Sequence, residues 1–195
     1  MDKDLGYFID DPRHGAGAPE DEAIWQLLIA ADEEFVPPLS TRESTTQAAL
    51  RPATQAEDDA MGEGPVQYFE ALQDQQFILA REKQSSAVVG FLSFRAGHRL
   101  PAPAPEGHHL YVSTVIVGRD HRRRGITRAM YQRLLAEAAL LGQGVATRTW
   151  STNTGHLRLL EQIGIAEVLR LPDHRGTGID TLYLARAPRN RPEAA

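Results

Sequence analysis

Five arginines crowd one short stretch of an otherwise acidic chain: Arg119, Arg122, Arg123, Arg124 and Arg128, with Gly125 among them. They follow a β-branched run ending in Val115, Ile116 and Val117 and lead into the longest helical pattern of the sequence, ITRAMYQRLLAEAALL. The turn therefore joins a strand to a helix. The first N–H groups of a helix lack intrahelical partners, and the helix dipole adds positive potential there, so such a terminus is a seat for an anion. Gly125 removes the side chain that would hold a phosphate off the backbone. A diphosphate with a further ribose phosphate is a ligand that would use all of these groups. A merely solvated turn would need neither the glycine nor the β-rich strand before it. Two other phosphate motifs, G-x-x-x-x-G-K-[ST] and G-x-G-x-x-G, are absent.

Composition narrows the partners. The net charge is -5 over 195 residues, and few aromatics lie near the arginines, which argues against nucleic acid and against an anionic membrane surface. There is no cysteine, so disulfides, thiolate metal sites and a cysteine nucleophile are excluded. No apolar run approaches the roughly twenty residues of a membrane span, and MDKDLGYFIDDPRHG lacks the apolar core of a signal peptide. A cytoplasmic location is the expectation. The seven histidines show no metal-ligand spacing; His108 and His109 are adjacent and point to opposite faces of a strand, so no metal is expected.

The elements that must position the turn follow from periodicity. Residues 1–19 read as a flexible N-terminal arm. From Glu20 onward, Ile24, Leu27, Leu28, Ala31 and Phe35 recur at helical spacing until Val36-Pro37-Pro38 stops the helix. Residues 39–64 are weakly patterned, with a short helix possible at 45–50. Pro65 opens a second helix through Leu72, with Val66, Phe69 and Leu72 on one side. Strands at 76–82 and 87–95 form a hairpin, and 108–117 is a further strand after a proline-rich loop. The helix at 124–141 turns Ile126, Met130, Leu134, Ala138 and Leu141 inward and ends at Gly142. A strand at 145–151, a helix at 153–163 and a closing hairpin at 165–171 and 179–187 complete the order. This is an α/β (α+β) domain over 20–188, a single mixed, mostly antiparallel central sheet flanked by helices, with a disordered tail at 189–195.

Arg122-Arg123-Arg124-Gly125-Ile126-Thr127 resembles the Q/R-x-x-G-x-G/A cofactor motif of the GNAT acetyltransferase superfamily, with Thr127 where Gly or Ala is usual. Downstream, NTGHLRLLEQIGI is similar to that family's N-x-x-A-x-x-x-Y-x-x-x-G-F segment: Asn153 and Gly164 match, while His156, Leu160 and Ile165 depart. The element order matches from about residue 20 to 187. The resemblance implies the acyl-CoA N-acyltransferase fold, with acetyl-CoA as co-substrate and transfer to a primary amine of a small molecule or peptide by direct attack in a ternary complex. A non-catalytic acyl-CoA sensor or structural module is the alternative. It implies that Val115, Ile116 and Val117 hold the pantetheine arm, that Arg122, Arg123, Arg124, Gly125, Ile126, Thr127 and Arg128 hold the phosphates, and that Asn153 contacts the cofactor. A homodimer through the apolar closing strands is also compatible with the sequence.

Catalysis is less legible. Strand alternation puts His109, Tyr111, Ser113, Val115 and Val117 on one face. By resemblance, the Val115 N–H is the oxyanion donor, and Tyr111 and Ser113 stand where an amine would be deprotonated through water. Neither is a natural base at neutral pH, and both are also ordinary residues for a packed strand. With Leu160 in place of the tyrosine that protonates the leaving thiolate, Tyr183, His156 and Tyr131 are the candidate replacements. A lone histidine at the start of a helix is ordinarily a surface or capping residue. Asp58, Asp59, Glu63, Asp173 and Asp180 lie in loops that would wall the acceptor, where acids would suit a cationic amine.

Overall fold

The computed structural model describes residues 6–15, 17–45, 64–101, 104 and 106–188. Eight strands make one sheet: β1 (Tyr7–Ile9), β2 (Arg13–His14), β3 (Gln76–Glu82), β4 (Val88–His98), β5 (His109–Val117), β6 (Gly144–Trp150), β7 (Ala166–Leu171) and β8 (Thr181–Arg186). Among the described residues four α-helices flank it: α1 (Ala18–Ala31), α2 (Val66–Leu72), α3 (Ile126–Leu141) and α4 (Thr154–Gln162). The strand order is β1-β3-β4-β5-β6-β8-β7, with β2 also on β3, and every pairing is antiparallel except β5 with β6. The expected fold class holds. The tail at 189–195 and the short helix expected at 45–50 fall outside the described residues, apart from Thr45.

The N-terminal segment differs from the expected loose arm. Tyr7 to Ile9 pair with Ala80 to Glu82, and Arg13 and His14 pair with Phe77 and Gln76. The anchor is a charged cluster: Arg81 donates to Asp10 at 2.9 Å and to Glu20 at 2.5 Å, and Arg13 lies 3.1 Å from Glu20. The hydrogen bond from Arg81, opposed by burial and aided by Arg13, lowers the Glu20 pKa. Its stabilising contribution is therefore complete above the unfolded value near 4.5 and is lost as pH falls through the lower folded value. Glu20→Gln should remove that acid-side loss. Urea unfolding from pH 7 to pH 3 checks this, with the parent expected to lose more stability than the variant.

Two cores sit on opposite faces of the sheet. On one, Ile126, Met130, Tyr131, Leu134 and Ala138 of α3 and Leu160 of α4 pack on Ile78, Leu92, Phe94, Leu110, Val112, Leu182 and Leu184. On the other, Ile24, Leu28 and Ala31 of α1 and Tyr68 and Leu72 of α2 cover Phe77, Leu79, Phe91 and Ile116. Leu141 is 50% exposed in the last turn of α3, and Val66 is 42% exposed. In the seven-residue α2 the buried pair is Tyr68 and Leu72, spaced by four. Leu182 and Leu184 of the closing hairpin are spent on the core, and β7 carries Glu167 and Arg170 outward.

Strand β5 corrects the single-face reading. Ser93 pairs with Thr114 but Phe94 pairs with Val112, so Ser113 is an extra, bulged residue. The bulge inverts the alternation. Val115 and Val117 share the α3 face with Leu110 and Val112, whereas Tyr111 faces the other way with Ala146 and Ala185.

Candidate active site

Strands β5 and β6 pair in parallel from His109 with Gly144 to Val112 with Thr147, and there the ladder stops. Thr147 Oγ1 closes it with a 3.1 Å bond to the Val112 carbonyl. Beyond that rung β5 continues to Val117 and β6 to Trp150 without pairing with each other, so the sheet opens into a gap. The Gly118 N–H donates to the Val89 carbonyl at 2.8 Å. Two-residue alternation then directs Ile116 and Thr114 toward β4 and turns the N–H groups of Val115 and Val117 into the gap.

A cavity of about 460 Å³ fills this gap and reaches the arginine turn. Ser113, Val115, Ile116, Val117, Arg122, Arg123, Thr127 and Asn153 all line it. A smaller pocket of about 210 Å³ adjoins it, where Gly125, Ile126 and Arg128 join Arg122, Arg123 and Thr127. Gly125 has φ +84 and serves as N-cap of the sixteen-residue α3, which no side chain caps. A bare helix start entered through a left-handed glycine is an anion seat that a side chain would both strain and fill.

Several arginines are already held. Arg122 donates through Nε to the Val117 carbonyl at 2.9 Å and lies 2.9 Å from Glu34, which also receives Arg119 at 3.0 Å. Burial opposes ionisation of Glu34, but the hydrogen bonds from Arg122 and Arg119 prevail and lower its pKa. Arg124 reaches the Tyr7 hydroxyl at 2.9 Å and lines neither cavity, and Arg128 donates to Gln162 of α4. Arg123 takes φ +60, bending the turn.

The three catalytic candidates separate. Ser113 lines the cavity, and its Oγ is buried without a hydrogen-bond partner. Tyr111 lies outside the cavity, stacked on His98 with ring centroids 4.3 Å apart. Burial pushes its pKa up to about 12, so it stays neutral. Tyr183 sits on β8 against Arg148 and does not line the cavity either. His156 is not a simple surface residue: it lines the cavity, and its Nε2 lies 2.9 Å from the Tyr131 hydroxyl. Burial lowers its pKa to about 4, keeping it neutral. Asn153 begins α4 and donates to Thr149 Oγ1 at 3.1 Å.

Sequence reasoning missed Phe35 and Trp150, which line the cavity with ring centroids 5.5 Å apart. Phe35 has the spacing of a core residue of α1 but lies beyond the helix end, after the 3-10 turn Asp32–Glu34. Glu34 carried no signal. Tyr68 was missed as well; its hydroxyl lies 2.8 Å from Thr114 Oγ1. Among the described residues no three His, Asp or Glu side chains group as for a metal, and no helix is long and apolar enough to cross a membrane.

The fold recurs in solved structures. The Arabidopsis thaliana NAA60 complex with a bisubstrate analogue matches with TM-score 0.60 at 15% identity, over 93% of this chain and 97% of that one. The Salmonella typhimurium protein yncA, solved with its cofactor acetyl-CoA, matches with TM-score 0.61 at 17% identity, over 97% and 98%. An N-acetyltransferase from Staphylococcus aureus Mu50 gives TM-score 0.58 at 15% identity, over 93% and 98%. No curated protein matches the sequence. A profile of the acetyltransferase (GNAT) family matches residues 42–165, which span the gap, the arginine turn and α4. The chain belongs to the acetyltransferase (GNAT) family and is an N-acetyltransferase.

Proposed function

We propose that this enzyme acetylates a primary amine of a small molecule or peptide by direct attack, with both substrates bound together. Acetyl-CoA supplies the acetyl thioester. The observation that carries this reading is that the gap between β5 and β6 and the uncapped start of α3 open into one continuous site. The Val117 N–H holds the pantetheine arm, which leaves the Val115 N–H to face the thioester. Gly125, Ile126 and Thr127 offer their backbone to the pyrophosphate, and Arg122, Arg123 and Arg128 surround it with charge, while Arg124 is held away on Tyr7. Asn153 borders the same cavity.

Acyl transfer to an amine needs a neutral nucleophile, a donor for the oxygen that gains charge, and relief for the departing sulfur. Ser113 Oγ accepts from the incoming amine and orients it. The Val115 N–H donates to the developing oxyanion. Leu160 is fully buried in the core, so the sulfur is steadied from another direction, by His156 backed by Tyr131. Tyr131→Phe removes the hydroxyl and leaves His156 Nε2 without this partner. The expected result is a kcat about tenfold lower with acetyl-CoA affinity unchanged, read from steady-state rates beside a binding titration.

Release of CoA thiol on a panel of amines tests the reaction itself. Amine-dependent release above the rate of acetyl-CoA hydrolysis supports transfer. Release that no amine accelerates would make the chain a binder of acyl-CoA.

A further inference from the structure

Two aromatic rings from separate segments meet at the main cavity. Phe35 follows the 3-10 turn Asp32–Glu34, and Trp150 ends β6. Both are half-buried, both line the cavity, and their ring centroids lie 5.5 Å apart at an interplanar angle of 51°. They stand on the face of the sheet away from α3. Phe35 packs on the core under α1 and α2. Strand β6 pairs with β8 from Val145 to Trp150 without a bulge, so Trp150 shares the face of Ala146, which meets Tyr111 there. Arg123, Thr127, Asn153 and His156 border the same cavity from the side of α3 and α4. The phosphate seat and the aromatic wall therefore lie on opposite sides of the gap.

The wall is held from behind. Arg175 donates to the Val36 carbonyl, next to Phe35, and through Nε to Thr181 Oγ1 at 3.0 Å. Thr181 is the register partner of Trp150, so one guanidinium ties the two ring-bearing segments together. Its Cζ is 5.5 Å from the Trp150 ring centroid. Arg42 supports the other ring: its Cζ is 5.4 Å from the Phe35 centroid, and it donates to the Pro37 carbonyl through Nε at 3.1 Å and a terminal nitrogen at 2.7 Å. Neither guanidinium lines the cavity, so both lie behind the rings. A cation behind a ring already draws on its π-electrons, which leaves the front better suited to an uncharged body than to an ammonium. The acids point the same way. Glu34, the one carboxylate among the described residues that line the cavity, is held by Arg119 at 3.0 Å and Arg122 at 2.9 Å. Asp180 pairs with Arg170 at 2.6 Å, and Asp173 Oδ1 accepts the Gly178 N–H at 2.6 Å, while Asp58, Asp59 and Glu63 fall outside the described residues. Two fixed rings facing a cavity offer large apolar area at little cost in entropy.

We propose that Phe35 and Trp150 bind the body of the acceptor, and that this body is an aryl group a short chain away from the amine that is acetylated. A free arylalkylamine and a peptide with an amino-terminal phenylalanine share this chemistry. A polyamine does not, because its second ammonium finds no unengaged carboxylate among the described residues that line the cavity. The proposal rests on the acetyl-transfer reading above and names its substrate class.

The test is acetylation by the full chain of phenethylamine, a peptide with an amino-terminal phenylalanine, ethylamine and putrescine. The better aryl amine should exceed ethylamine and putrescine by about 10- to 100-fold in kcat/KM, and which of the two leads tells a free amine from a peptide. Trp150→Leu, which keeps an apolar side chain at the position, should raise KM for the aryl amine about tenfold, while titration with acetyl-CoA gives the parent affinity. Phe35→Leu should act in the same direction, and Trp150→Phe should recover part of the loss. Ethylamine or putrescine acetylated as well as the aryl amines would overturn the proposal while leaving acetyl transfer intact. So would Trp150→Leu protein that loses acetyl-CoA affinity and keeps the aryl preference, because the wall would then belong to the cofactor. Saturable acetyl-CoA binding with no amine accepted would overturn the transfer reading and this inference with it.

Discussion

Gly125→Glu abolishes acetyl-CoA binding while the fold survives. Gly125 stands at φ +84 as the N-cap of α3, so any side chain there costs about 1 kcal/mol in backbone strain. That is tolerable for a domain with two cores. A carboxylate at the helix start is attracted by the same free N–H groups and dipole that would hold a phosphate, and it repels a second anion. The expected loss in acetyl-CoA affinity is at least about 100-fold. Gly125→Ala carries the strain without the charge and should lose much less. Circular dichroism establishes folding, and a binding titration reads the loss. Undiminished binding in folded Gly125→Glu protein would remove the turn from the cofactor site.

Val115→Pro should cut kcat by about 100- to 1,000-fold, the usual consequence of deleting one oxyanion donor. Proline within a central strand ordinarily breaks the ladder. Here the lost N–H faces the gap and not β4, because the ladder bonds fall at Gly118, Ile116 and Thr114. Extended Thr114 also suits the position before a proline. Val115→Ala keeps the N–H and should react close to the parent rate. If Val115→Pro is folded and turns over normally, the donor is another group.

The arginine turn and its helix were legible because each rule there is local. Helical spacing of Ile126, Met130, Leu134 and Ala138 marks the buried stripe of α3, and Gly125 and Gly142 mark its ends. The bulge at Ser113 was not legible, because it exists only in the pairing of β5 with β4, and it moved Tyr111 away from Val115. His156 and Tyr131 met for the same non-local reason, across α3 and α4.

The central claim is that the gap between β5 and β6 and the start of α3 together seat acetyl-CoA. Calorimetric titration of the protein with acetyl-CoA, beside dephospho-CoA and ATP, tests it most directly. Saturable binding of acetyl-CoA, weaker for dephospho-CoA without its ribose phosphate and for ATP without the pantetheine arm, is the predicted result. Absence of binding in folded protein, or equal binding of ATP, would contradict it.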